Sequence, residues 1–447
     1  MYKARFVAKG FSQIPGVDYH ETFSPTAKLT SIRLLVNLAI DENLVIHSMD
    51  VKSAYLNAKL DCDVYMEQPE GFKVGIGSDM VLKLNKSLYG LKQSGRMWNH
   101  LLHSFLVDLG FSRSEAENCL YTRSQNGIKV IILVWVDDLI IAGSDLNRVQ
   151  EVKLQLSKRF KMKDFGTIKE FLGIQFEFNE DYVKLHQAKY VTKVLEKFNM
   201  IDCNTKRLPC DPSIVKIGDN VSEVFEDNTL YRSIVGSLVY LSSCTRPDLS
   251  YLVTKLSERL ENPTQAHYSA CKYALRYLCG TIDKGLIYKP CPVSPGAQII
   301  GYSDSDWGSS SDRKSFSGYC YQLSEANSFV SWKCKKQPTV ALSTCEAEYI
   351  AASFALQEGI FLRQLLLDLK YPELKINLYV DNRGAIELGK NPVHHQRSKH
   401  IDIRYHFLRQ KVSEGIVSLL KVSSANNYAD LFTKPAKLSN LKNFMIY

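Results

Sequence analysis

Apolar residues recur at three- and four-residue spacing through Trp98, Leu102, Phe105, Leu106 and Leu109, and the pattern stops at Gly110. That spacing predicts an amphipathic helix with this face in a core. Val149, Val152, Leu156 and Phe160 repeat it. Between the two helices, residues 128–136 and 139–142 are apolar, β-branched runs separated by Asp137 and Asp138, which predicts a hairpin with two acids at its turn. Residues 200–228 carry Pro209 and Pro212 among polar positions and read as an irregular connection; residues 289–296, with Pro290, Pro292 and Pro295, read as a linker and the main domain boundary. Beyond it the pattern predicts strands at 299–303, 318–323 and 328–332, a long helix from about Thr344 to Leu369 and a strand at 376–380, an α/β layout.

A chain of 447 residues with 45% hydrophobic content can bury two or three cores. No run reaches the roughly 20 uninterrupted apolar residues of a membrane span, and the first residues lack the apolar stretch of a signal peptide. No membrane partner and an intracellular location are expected. The 11 cysteines form no C-x-x-C pair, so reduced thiols are expected, without disulfides or structural zinc. A net charge of +9 favours a polyanionic partner, with nucleic acid the first candidate.

Phosphoryl transfer through paired metal ions needs carboxylates that hold two divalent cations roughly 3.5–4 Å apart. Asp50, after the apolar run 44–49, and the Asp137–Asp138 pair are candidates. Alone, two acids at a hairpin are ordinarily a turn. Their company changes that reading. Lys3-Ala4-Arg5-Phe6-Val7-Ala8-Lys9-Gly10-Phe11, Asp18-Tyr19-His20-Glu21-Thr22-Phe23-Ser24-Pro25, Met49-Asp50-Val51-Lys52-Ser53-Ala54-Tyr55, Ser87-Leu88-Tyr89-Gly90-Leu91-Lys92-Gln93, Trp135-Val136-Asp137-Asp138 and Phe171-Leu172-Gly173-Ile174 follow one another in order. They resemble the fingers, first metal, template, second metal and primer-grip motifs of copia-type retrotransposon reverse transcriptases.

The resemblance implies that Asp50, Asp137 and Asp138 are catalytic and bind Mg²⁺, two ions per active site with Mn²⁺ as a substitute, and that the Val51 carbonyl is a further ligand. It implies that Lys3 and Arg5 hold the incoming triphosphate, that Gln93 contacts the nucleotide beside the template, and that Tyr55 excludes a 2′-hydroxyl by bulk. The bland alternatives are a solvated basic strand for Lys3 and Arg5 and a core aromatic for Tyr55. Two departures stand out. Trp135 replaces the family's usual Tyr and is expected to crowd the primer end, and the start at Met1 suggests shortened fingers.

Tyr231 to Leu241 and Thr245-Arg246-Pro247-Asp248 open helices and also resemble copia-type sequence. His267, Tyr268, Lys272, Tyr273, Arg276 and Tyr277 interleave aromatics with bases, read either as an amphipathic packed pair, the favoured reading, or as a phosphate-tracking surface. Toward the carboxyl end, Asp304 and Asp306 share one strand face, Glu348 opens the long helix, Asp381 ends a strand, and Asp430 follows Tyr428-Ala429. With Arg313-Lys314-Ser315, Glu346-Ala347-Glu348-Tyr349 and Asp430-Leu431-Phe432-Thr433-Lys434-Pro435, they resemble the ribonuclease H domain of copia elements. This implies Asp304, Glu348, Asp381 and Asp430 as catalytic metal ligands, with Asp306 and Glu346 as rivals for the first two roles. His394, His395, His400 and His406 fit no zinc spacing and are assigned no site.

The expected architecture is α/β (α+β): a right-hand polymerase followed by a ribonuclease H-like mixed-sheet domain. The expected domains are fingers and palm at 1–175, thumb and connection at 176–290, and nuclease at 297–447. The expected function is RNA-directed DNA polymerase with ribonuclease H. The expected partners are an RNA template, a DNA primer, RNA–DNA hybrid, deoxynucleoside triphosphates, and the element's coat and integrase proteins. Virus-like particles in the cytoplasm, or the nucleus, are the expected location. A decayed or domesticated nucleic-acid binder and a nuclease alone are the rivals.

Overall fold

The β-branched run at Ile128–Trp135 folds back on Asp138–Gly143 as a hairpin, and Asp138–Gly143 pairs in turn with Val45–Val51. In the computed structural model, which describes residues 4–74, 80–213, 223–291, 298–325, 327–390, 403–438 and 441, these strands form the centre of one of two compact units.

The first unit takes in residues 4–32 and 43–168 among those described. Its sheet runs Ser112–Arg113, Leu120–Gln125, Ile128–Trp135, Asp138–Gly143, Val45–Val51 and Met162–Thr167, with every pairing antiparallel. Helix Ser94–Asp108 buries Trp98, Leu102 and Leu106, and helix Leu146–Arg159 buries Val149, Val152 and Leu156, the stripes expected from their spacing. Asp145 caps the second helix by accepting from the Arg148 N–H. Beneath the sheet, buried Lys153 lies 2.9 Å from His47 Nδ1 and 2.7 Å from Asp164, so its charge is compensated.

The second unit takes in residues 33–42 and those described from 169 onward, and so includes the described parts of both 176–290 and 297–447. A four-stranded sheet, Gly285–Tyr288, Val183–His186, Ile174–Phe178 and Glu170–Phe171, accompanies helices Ala188–Lys197, Asn228–Cys244, Ser250–Ser257 and Gln265–Cys279. The turn Leu172-Gly173 has positive φ at both residues, and the Tyr240 hydroxyl donates to the Leu172 carbonyl. The aromatic and basic residues of helix Gln265–Cys279 are largely spent inside the fold. His267 completes a capping box with Thr264, Tyr277 is buried, Tyr268 stacks on Phe225 at 4.2 Å, and Arg276 donates to the Asn204 carbonyl. The packed amphipathic reading holds there.

The five-stranded sheet runs Ser331–Lys336, Phe316–Gln322, Gln298–Ser305, Lys375–Val380 and Val417–Lys421; it is antiparallel across the first three strands and parallel across the last three. This is the expected ribonuclease H-like mixed sheet. Helix Thr344–Asp368 packs against its central strands. That helix is long and apolar enough to cross a membrane by length and composition, although polar residues interrupt its apolar runs. Its apolarity serves the core instead, since Ala347, Ile350, Ala351, Ala355, Leu362 and Leu366 are buried within the unit. The 11 cysteines are free thiols.

Candidate functional site

Strand register builds the first site. Asp50 lies directly opposite Asp138 on the neighbouring antiparallel strand, so the two carboxylates share a sheet face with Cα atoms about 5 Å apart. The turn is Val136-Asp137, one residue earlier than the sequence pattern suggested, and Asp138 already belongs to the return strand, paired with Trp135. Val136 has φ +57°, a conformation that strains a β-branched residue. Two hydrogen bonds hold the turn: the Trp98 indole donates to the Val136 carbonyl at 2.6 Å, and the Val51 N–H donates to the Asp137 carbonyl at 2.8 Å. Asp137 is thereby fixed beside the Asp50–Asp138 pair. Burial, then the charges of Asp137 and Asp50, push the Asp138 carboxyl up to about 6.

An aromatic wall adjoins these acids. The rings of Tyr55 and Tyr89 lie 4.8 Å apart, and burial followed by the Asp137 charge raises both phenols. The exposed Arg5 guanidinium is 5.5 Å from the Tyr89 ring centre. Its segment docks there because Gly10 and Gly90 permit it: a Cβ at Gly10 would collide with the Gly90 carbonyl, and one at Gly90 with the Ala8 carbonyl. Lys3 lies outside the described residues. Gln93 corrects an expectation. It is 0% exposed; its Nε2 donates to the Asp18 carbonyl at 2.8 Å and its Oε1 accepts from Gln13 at 3.0 Å. An amide so engaged locks the fingers segment and offers nothing to a nucleotide. Trp135 ends its strand half-buried, opposite Asp138.

Parallel register builds the second site. Ser303 pairs with Val380, which brings the following residues, Asp304 and Asp381, together at adjacent strand ends. Asp430 arrives on the turn Tyr428–Phe432, which Asn427 ties to the sheet by donating to the Ser303 carbonyl at 3.0 Å. One carboxylate oxygen from each of Asp304, Asp381 and Asp430 lies within 4.8 Å of the others. Glu348 reaches the same strand end, where its Oε1 accepts from the Ser305 N–H at 3.1 Å, while its buried Oε2 has no hydrogen-bond partner. The rivals are spoken for. Asp306 accepts from Ser309 and from the Phe316 N–H, and Glu346 accepts from the Leu342 N–H at 2.7 Å as part of the helix cap.

Asp304 is 1% exposed. Burial outweighs the nearby Lys434 and lifts its carboxyl to about 7; burial, then Asp304 and Asp381, lifts Glu348 to about 9. Buried acids crowded together with an orphaned oxygen are short of positive charge, and the ligand atoms are all oxygens, so this second carboxylate group fits a hard divalent cation. The histidine-rich stretch 394–406 lies outside the described residues, except for the backbone of helix Ile403–Ser413.

Sequence reasoning passed over three residues. Trp98 looked like core alone. Lys434, four residues beyond Asp430, is bound at 2.7 Å to that acid and at 3.3 Å to Asp304. Gly318 pairs with Asp304, and a Cβ there would meet Phe432 Cβ at 2.7 Å and Thr433 Cγ2 at 2.9 Å, so only glycine lets the Asp430 turn close on the strand. A glycine in mid-strand was the available signal.

Residues 1–212 match the family model described as reverse transcriptase (RNA-dependent DNA polymerase). The chain is 40% identical over 97% of its length to the retrovirus-related Pol polyprotein from transposon TNT 1-94 of Nicotiana tabacum, and 40% identical over 99% to that from transposon RE1 of Arabidopsis thaliana. It spans 33% and 30% of those polyproteins, about a third. It is 34% identical to a transposon Ty5-1 protein of Saccharomyces cerevisiae, covering 69% of this chain and 100% of that protein. Among solved structures, the foamy viral protease–reverse transcriptase in complex with RNA/DNA hybrid aligns with 93% of this chain and 48% of its own, at 12% identity and a TM-score of 0.49.

Proposed function

Since the chain belongs to the copia-type family of retrotransposon Pol reverse transcriptases, we propose that it copies RNA into DNA at Asp50, Asp137 and Asp138 and cleaves hybrid RNA at Asp304, Glu348, Asp381 and Asp430. The observation that carries this reading is the placement of Asp50 opposite Asp138 beside a turn held by Trp98 and Val51. Mg²⁺ is the proposed ion at both sites, with Mn²⁺ as substitute; when bound it supplies charge that activates the nucleophile and steadies the leaving oxygen.

The chain's own residues do the positioning. Asp50 and Asp138 present oxygens from a rigid sheet, with the Val51 carbonyl as a further proposed ligand, and Asp137 is aimed by its held turn. Tyr55 narrows the space for the sugar from the side of Asp137, and Arg5 is placed to meet phosphate oxygens. Template, primer and deoxynucleoside triphosphates are the proposed partners. Primer extension on an RNA template with Mg²⁺, by wild type and Trp135→Tyr, tests the reading. Extension by wild type, or by Trp135→Tyr alone, supports it; none from either, with hybrid cleavage intact, would leave a nuclease.

Two further outcomes follow. Trp98→Phe keeps an aromatic against Phe160, with the native ring centres 5.2 Å apart, but leaves the Val136 carbonyl without its donor. Extension is expected to slow about tenfold, and the fold to lose about 1–3 kcal/mol, as when a buried acceptor goes unpaired. Steady-state kinetics and thermal melts read both; an unchanged rate constant would show that the strained turn needs no such support.

The second concerns protons at the nuclease acids. Their raised carboxyls mean the metal-free fold holds more protons than the unfolded chain between the ordinary carboxylate range and about 9, so stability falls as pH rises through that window. A cation must expel those protons. Mg²⁺ affinity at this site is therefore expected to rise from pH 7 to 9, with proton release seen as a buffer-dependent binding enthalpy. A buffer-independent enthalpy would contradict it.

A further inference from the structure

Three acids packed as closely as Asp304, Asp381 and Asp430 repel one another unless a positive charge lies among them. The fold supplies one. Lys434 Nζ lies 2.7 Å from Asp430 Oδ1 and 3.3 Å from Asp304 Oδ2, reaching in from the edge of the cluster. We infer that Lys434 is a built-in counter-cation of the nuclease site, its ammonium keeping the place between Asp304 and Asp430 until a divalent ion displaces it toward solvent. This rests on reading the cluster as a metal site.

Three features separate this lysine from a static salt bridge. Its side chain is 44% exposed while Asp304 beneath it is 1% exposed, so the ammonium has an open path to water that the acid lacks. The carboxylate does not depend on it for position. The Thr433 hydroxyl donates separately to Asp304, so this acid keeps an anchor when the lysine leaves.

The lysine also satisfies the cluster incompletely. Glu348 Oε2 remains buried with no hydrogen-bond partner, so the ammonium serves Asp304 and Asp430 and leaves the helix-borne acid unserved. A divalent ion offers more charge and more coordination positions than a lysine that donates on one side. Once it entered, an ammonium left in place would face it as a like charge in a partly dry site. Exchange follows, and the tether is short: Lys434 is four residues from Asp430, so a change of rotamer suffices.

Divalent binding would then be weaker than the bare acids would give, while the metal-free fold is spared their repulsion. The test uses the full chain and Mg²⁺ alone. Amine acylation of Lys434, read by mass spectrometry, is compared in chelator and in saturating Mg²⁺, while calorimetry on wild type and Asp304→Asn isolates the nuclease-site binding. Acylation is expected to rise several-fold with Mg²⁺ in wild type. Lys434→Met is expected to bind Mg²⁺ about tenfold more tightly, and Lys434→Arg, which keeps the charge, no more tightly than wild type.

Unchanged acylation despite Asp304-dependent Mg²⁺ binding would overturn the exchange and leave the metal site standing. Absence of any Asp304-dependent binding would overturn both. If Lys434→Met fails to fold, the acylation of wild type decides alone.

Discussion

Asp137→Asn is expected to lower primer extension by about a thousandfold while leaving cleavage of hybrid RNA unchanged. The substitution preserves size and backbone: the Asp137 carbonyl keeps the Val51 N–H at 2.8 Å, and the Trp98 indole still holds Val136. What disappears is one negative charge at the point where the turn aims it. The same loss removes one of the charges that push Asp138 up to about 6, so Asp138 should ionise more easily and the metal-free fold should be no less stable. A melting temperature that holds while extension collapses would separate lost chemistry from lost structure. The cleaving acids belong to the other compact unit and keep their own hydrogen bonds.

Gly318→Ala is expected to do the reverse. The added methyl meets Phe432 at 2.7 Å and Thr433 at 2.9 Å, closer than real Cβ contacts allow, and the turn bearing Asp430 must lift. Misplacing a reacting group by about 1 Å is worth roughly a hundredfold in rate, and overpacking costs about 1–3 kcal/mol. Hybrid cleavage should therefore fall about a hundredfold with primer extension retained. Cleavage at the wild-type rate would mean that the turn can shift without carrying Asp430 and Thr433 with it.

The main elements were readable where a strong periodic pattern fell on a core face. Trp98, Leu102 and Leu106, the β-branched run before the acids, and the long helix at Thr344–Asp368 were all expected from spacing. The acids themselves became legible only through motif resemblance, because a carboxylate near a strand end has the same local pattern whether it is solvated, capping or catalytic. Asp304 and Asp306 show why. They lie two residues apart, and the choice between them is made by Thr433, Ser309 and the Phe316 N–H, partners that no local pattern reveals. Glu346 and Glu348 are separated in the same way by the helix cap.

Other readings failed for physical reasons. The hairpin turn came out one residue early because a valine takes positive φ there, a position where turn chemistry favours glycine or asparagine. The strain is tolerated because a buried indole from another helix holds the carbonyl. Gln93 lay in a motif that implied nucleotide contact, yet Asp18 and Gln13 consume its amide. The domain boundary was drawn at a proline-rich segment; strand Gly285–Tyr288 before it joins the sheet of Val183–His186, and the Ser328 hydroxyl oxygen beyond it accepts from the Ile287 N–H at 2.9 Å. Composition marks a linker; it does not show what packs across it.

The central claim is that one chain carries two separately built, metal-dependent sites for phosphoryl transfer. A single assay tests it: a labelled RNA template annealed to a DNA primer, with deoxynucleoside triphosphates and Mg²⁺, scored for extension and RNA cleavage with wild type, Asp137→Asn and Asp304→Asn. Wild type should show both activities, Asp137→Asn cleavage without extension, and Asp304→Asn extension without cleavage, all abolished by chelator. Loss of both activities together in either variant, or activity that survives the chelator, would contradict the account.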